Sequence, residues 1–199
     1  MAQECTLLRK STLRREYKDK ETGETKVIYM HHVLEAKLVV ANMVFSIATE
    51  FIENESEDVP KQDCELKAFK RLAKKIKSTF KRLPICLLGD SLYACEPIFD
   101  ICEKNKWKYI FRFKEGRIAS VASEFWALKS LEENDKKASI FWVNDISYND
   151  RDVNLLEAVM ETKDKQNKRF LFITDIKITK KNAERLVQEI GRASCRERV

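Results

Sequence analysis

The residue best placed to do chemistry is an aspartate that closes an apolar run. Ile85, Cys86, Leu87 and Leu88 precede Gly89 and Asp90, a short unbroken segment of the kind buried on both faces in a parallel sheet. A carboxylate at the mouth of such a strand suits divalent-metal work: hard cations such as magnesium take oxygen ligands and usually need at least two carboxylates plus phosphate or water. The plainer reading is that Asp90 caps the turn after it. Asp175 also follows an apolar strand (Phe170, Leu171, Phe172, Ile173), so a complete small nuclease using Asp90 with Asp175 is one alternative. A turn aspartate before the last helix accounts for Asp175 more simply. Between residues 61 and 82, nine Lys/Arg face two acids, a surplus larger than the net charge of +6 on the whole chain. That run fits a polyanion partner or a solvated helix face. The six cysteines form no CxxC pair and there are two histidines, so zinc has little to build on and reduced thiols are expected. His32 interrupts an apolar face and reads as a buried histidine satisfied by a neighbour.

The elements that must position these groups follow from hydrophobic period. A polar, glycine-bearing turn at 20–24 separates two extended stretches, a hairpin signal. Ile28, Met30, Leu34, Ala36, Leu38 and Val40 then alternate on one strand face, and Phe45, Ile47 and Phe51 on a returning strand over 43–52. An acidic connector at 53–58 ends at Pro60. Leu66, Phe69, Leu72, Ala73, Ile76, Phe80 and Leu83 give a helical stripe over about 61–82, with the basic residues on the other side. The strand before Asp90, a helix at about 96–105 with Pro97 in its first turn, and a strand at 107–114 form a βαβ unit with parallel strands. This places Asp90 near Arg112 and Lys114, at the carboxyl end of the strands, where open α/β sheets hold ligands. A helix at about 118–132, using Val121, Phe125, Leu128 and Leu131, precedes strands at 139–144, 153–160 and 169–174 and a last helix from about Lys180. No internal repeat or low-complexity linker occurs, and with 199 residues, 44% hydrophobic, one domain is expected. No apolar run approaches the ~20 residues that cross a bilayer and the start has no signal-peptide centre, which gives the expectation of a soluble, cytoplasmic protein.

Five stretches closely resemble bacterial insertion-sequence transposases of the DDE type. They are VLEAKLVV (33–40), SIATEFIENE (46–55), KQDCELKAFKRLAKK (61–75), LPICLLGDSLYACEPIF (83–99) and WKYIFRFKEGRI (107–118). The resemblance spans about 17–188, and LLGDSLYA is its most specific piece. It implies an α/β fold, an RNase H-like mixed sheet flanked by helices, with a β-rich insertion (about 133–178) before the last helix. It also implies DNA cutting and joining by metal-dependent phosphoryl transfer, in which three carboxylates bind two Mg2+ or Mn2+ ions. Asp90 matches the second of the three, as a catalytic and metal-binding residue. Lys70, Arg71, Lys74, Lys75, Arg112 and Lys114 become candidates for DNA contact. Partners would be transposon ends and target DNA, with a homo-oligomer when the protein is intact.

Two departures from the family pattern qualify this. The first aspartate should lie upstream of the hairpin and the glutamate on a later helix, in an Arg-x-Arg-Trp-x-Ile-Glu type of sequence, and neither is present. The resemblance therefore implies an RNase H-like domain over 1–188 that is incomplete at both ends and inactive by itself. Residues 189–199, EIGRASCRERV, read as translated sequencing adapter, and the stripe of Ala183, Leu186 and Val187 is expected to lapse after Gly191. A non-catalytic DNA-binding remnant is the alternative function.

Overall fold

The computed structural model describes residues 13–19, 22–30, 32–40, 43–52, 64–131, 139–161 and 166–196. The chain divides into two compact units, 1–81 and 82–199. The acidic connector and Pro60 lie outside the described residues.

In the first unit, β1 (Leu13–Lys18) and β2 (Thr25–Met30) form an antiparallel hairpin. Its turn closes through the Gly23 N–H donating to Asp19 O and the Asp19 N–H to Glu24 O, both at 2.9 Å. Gly23 sits at φ 72°, the left-handed region in which glycine has no Cβ penalty. β3 (Val33–Val40) pairs antiparallel with β4 (Met43–Phe51). The sequence expects one unbroken alternation through Leu38 and Val40, and Phe45 and Phe51 on the apolar face of β4. The register instead shifts after Ala36: Ala36 faces Ala48 but Lys37 faces Ser46. This bulge adds a residue to β4 and swaps the faces. Leu34, Ala36, Ala48 and Glu50 are half-buried, while Leu38, Val40, Phe45 and Phe51 are exposed. His32, in the break between hairpins, is half-buried, and its Nε2 has no hydrogen-bond partner among the described residues, against the expectation of a satisfied ring.

Helix α1 (Glu65–Thr79) packs on β3 and β4 and buries Ala68, Phe69, Leu72, Ala73 and Ile76. Each large side chain contributes roughly 1.5–3 kcal/mol. Glu50 ties the helix to the sheet. Its carboxylate accepts from Arg71 Nε at 2.7 Å and pairs with Lys75, and Arg71 Nη2 donates to Phe51 O at 2.8 Å. Burial works to raise the Glu50 carboxyl, but the hydrogen bonds and charges of Lys75 and Arg71 outweigh it, and it lies below the ordinary value of 4.5. A depressed carboxyl stabilises the fold above its unfolded pKa, and that contribution is lost as pH falls through the lowered folded value. Glu50→Gln is expected to cost about 1–2 kcal/mol at neutral pH. The variant should also flatten the acid side of the stability–pH curve below about 4.5. Urea unfolding across that range checks it, and an unchanged acid limb would remove the pairing from the account.

The second unit is α/β. Its five-stranded mixed sheet, ordered β5-β6-β9-β8-β7, comprises β5 (Cys86–Gly89), β6 (Lys108–Phe113), β7 (Ile140–Tyr148), β8 (Arg151–Glu161) and β9 (Asn167–Thr174). Helices flank it: α2 (Glu96–Asn105), α3 (Ala119–Leu131) and α4 (Ala183–Arg196). The architecture is compatible with an RNase H-like fold. β5 and β6 run parallel, as the βαβ reading requires, and the remaining pairs are antiparallel. The strands after Ser139 precede the last helix as expected and join the sheet through β9.

Tyr109, Phe111 and Phe113 project to one face, where Phe99 of α2 stacks on Tyr109 with ring centroids 4.9 Å apart. Phe125 of α3 meets Phe141 edge-on at 5.6 Å. Ile110, Leu156 and Phe172 pack with Ala183 and Leu186 of α4 in a separate buried cluster.

Two local expectations give way. Cys86 and Leu88 are exposed, so β5 is not buried on both faces. Among the described strands it is the sheet edge, with a neighbour on one side alone. Leu128 and Leu131 are exposed, whereas Val121 and Phe125 are buried as expected, with Ala122 beside them. The inward position in its last turn belongs to Lys129, which reaches a carboxylate on β8. α4 is helical from Ala183 through Gly191 to Arg196.

Candidate functional site

Asp90 stands at the exit of β5, and the parallel register Gly89↔Phe111 sets that exit beside Arg112 on β6. Gly89 is needed at this corner. A Cβ there would meet Tyr93 Cδ2 at 2.9 Å and Phe111 Cδ1 at 3.2 Å, so any side chain would force the Tyr93 ring to shift. Asp90 is exposed. Its Oδ1 accepts the Leu92 N–H at 2.7 Å and its carbonyl the Tyr93 N–H at 3.3 Å, so it does cap the turn. Its Oδ2 has no protein partner among the described residues. The turn-capping and ligand readings are therefore compatible, because one oxygen holds the loop and the other faces outward.

Asp175 does not join it. Its carboxylate accepts the Tyr109 N–H at 3.0 Å and pairs with Lys108 Nζ at 2.9 Å, at the amino end of β6. β9 runs antiparallel to β6, so it delivers Asp175 to the opposite end of the sheet. Lys108 is level with Cys86, four residues before Asp90, roughly 13 Å along a strand. The nuclease built on Asp90 with Asp175 is excluded by this geometry.

A two-metal centre would need further carboxylates near Asp90. Among the described residues there is no group of three or more His, Cys, Asp or Glu placed to hold a metal. Asp90 alone does not make such a site, and the metal-dependent step expected of the family is not assembled by these residues. Nor is a thiol nucleophile at hand in the core: burial, helped by the charge of Asp175, pushes the Cys102 thiol up to about 12. Cys64, Cys86, Cys95 and Cys102 are thiols, not disulfides.

The basic candidates divide by environment. In the first unit, Arg71 and Lys75 are engaged by Glu50, whereas Lys70 and Lys74 are exposed with no carboxylate partner among the described residues. Lys67, Lys70, Lys74 and Lys77 follow one another at steps of three and four on the side of α1 away from its buried stripe. In the second unit, the Arg112 guanidinium lies over the Phe170 ring at 4.8 Å, and Lys114 is exposed beyond the strand end.

Sequence reading misses a buried charge cluster beside them. Glu157, in the middle of β8, is 3% exposed. It pairs with Lys129 of α3 and accepts from Arg169 Nη1 of β9 at 3.1 Å. The register Phe113↔Leu171↔Glu157 puts it on the β6 aromatic face. The signal in the sequence is a glutamate set between the apolar pairs Leu155-Leu156 and Ala158-Val159, but its partners lie on two other elements.

No protein-family model matches this chain, and no curated protein matches it. Among the described residues, no helix is long and apolar enough to cross a membrane.

Proposed function

We propose that this chain is part of the catalytic domain of a DDE-type DNA transposase, with Asp90 as one of its carboxylates, and that the polypeptide alone neither cuts nor joins DNA. One observation carries the reading: Asp90 is exposed at the carboxyl end of a parallel, helix-linked strand pair, the place where open α/β sheets present ligand-binding groups. The LLGDSLYA resemblance at 87–94 supports the same identity. Inactivity follows from charge: a lone carboxylate can neither place two cations nor offset them.

The second reading, a non-catalytic DNA-binding remnant, is favoured by Lys70 and Lys74, whose charges no protein carboxylate answers among the described residues. In both readings the chain is expected to retain duplex DNA at low salt and, with Mg2+ and DNA carrying the element's ends, to give no joined product. Joined product would overturn the inactivity, and failure to retain duplex would overturn both readings. A chimera separates them, with this chain replacing the equivalent segment of an intact family member. The transposase reading expects strand transfer from the chimera and a loss on the order of a thousandfold or more on Asp90→Asn. The remnant reading expects a chimera that binds DNA and transfers nothing.

A further inference from the structure

A cleft of about 380 Å³ opens at the end of the sheet where β6 and β8 exit and β9 enters, the end that also carries Asp90. Its volume falls in the ~300–1,000 Å³ range of sites for a single small ligand, which is too small for a duplex. Arg112, Lys114 and Arg169 line it, with Phe170 and Trp126 beside them and the carboxylates of Glu157 and Glu115.

The charges are not equivalent. Glu157 is consumed from both sides, by Lys129 and by Arg169, so it organises the wall and contributes little negative potential to the opening. Arg169 gives one Nη to Glu157 and remains 47% exposed, so the rest of its fork faces outward. Arg112 rests with its guanidinium carbon 4.8 Å from the Phe170 ring centroid and has no carboxylate partner among the described residues; neither has Lys114. Braced guanidiniums of this kind lose little freedom when they take an oxyanion, and their planar forks match phosphate oxygens. Trp126 and Phe170 add the apolar, π-rich surface on which an unpaired base can rest, and a basic groove with aromatic walls is the combination used for single strands.

We infer that this cleft takes one phosphodiester and its attached nucleoside from an unpaired nucleic-acid strand. The inference rests on the reading of the protein as one that handles DNA, and it adds where an unpaired strand sits. Arg112, Lys114 and Arg169 hold the phosphate and the two aromatics flank the base. Glu115 opposes binding through its charge.

The test is anisotropy of a short labelled oligothymidylate with the full chain in metal-free, low-salt buffer. It is run in a Lys70→Ala/Lys74→Ala background so that α1 does not mask the cleft. Arg112→Glu and Lys114→Glu are each expected to weaken binding about tenfold or more, and Glu115→Lys to tighten it. These side chains are exposed, and melting curves matching the parent confirm that the variants fold. Affinity unmoved by all three changes overturns the inference, as does inorganic phosphate competing as well as the oligonucleotide at equal concentration. If the chain with Lys70 and Lys74 intact binds duplex but the cleft shows no single-strand binding, this inference alone fails. If neither DNA form binds, the DNA reading fails with it.

Discussion

Glu157→Ala is expected to lower the unfolding free energy by about 3–5 kcal/mol, because removing one member of a buried ion pair leaves the other charged and desolvated. Lys129, 21% exposed on its side chain, is the group left stranded. It lies 4.8 Å from the Trp126 ring centroid and 5.5 Å from that of Phe141, and neither ring can accept a full hydrogen bond in place of a carboxylate. Arg169 is half in water and can rehydrate. Glu157→Leu combined with Lys129→Met should recover most of the loss, to within about 1 kcal/mol of the parent, since an apolar pair of similar volume carries no desolvation cost. Urea unfolding of the two singles and the double measures the coupling. If Glu157→Ala costs less than about 1 kcal/mol, the triad does not hold α3 on the sheet.

The second large effect concerns DNA. Lys70→Ala/Lys74→Ala is expected to weaken duplex binding at least about tenfold, whatever the sequence, and to reduce the slope of log K against log salt by about two, one for each phosphate that is no longer neutralised. Arg71→Ala should behave differently. Its guanidinium bonds to Glu50 and Phe51 O, so the change should lower the stability of the first unit and leave the slope nearly unaltered. Filter retention over a salt series, alongside melting curves, separates the two outcomes. A slope that is the same in the double variant would take the lysine stripe out of DNA binding. The contrast arises because four basic residues that look interchangeable in the sequence serve two purposes, and a charge already satisfied by Glu50 is a poor phosphate ligand.

The distance between what was legible and what was not follows the range of the interactions. The crossover from β5 through α2 to β6 was legible because each element carries its own period: a short apolar run, a ten-residue helix with proline in its first turn, and the alternation of Tyr109, Phe111 and Phe113. Where a strand meets a partner at an irregular register, the same logic failed. One bulge at Ala36/Lys37 was enough to turn Leu38, Val40 and Phe45 outward, since strand faces have a period of two and one extra residue inverts them. Leu128 misled for a related reason, because the inward slot it was given is filled by Lys129, whose carboxylate partner is 28 residues away.

The sequence by itself determined the α/β class of the second unit, the parallel strand pair and the exposure of Asp90 at its exit, all consequences of local pattern and of the handedness of a strand–helix–strand connection. Tertiary structure alone decided that Asp175 lies at the far end of the sheet, that Arg71 and Lys75 belong to Glu50, and that Glu157 gathers Lys129 and Arg169 beside an open basic cleft. Those outcomes depend on which strands become neighbours and in what direction they run, and burial and charge pairing across such neighbours are set by the assembled fold, not by spacing along the chain.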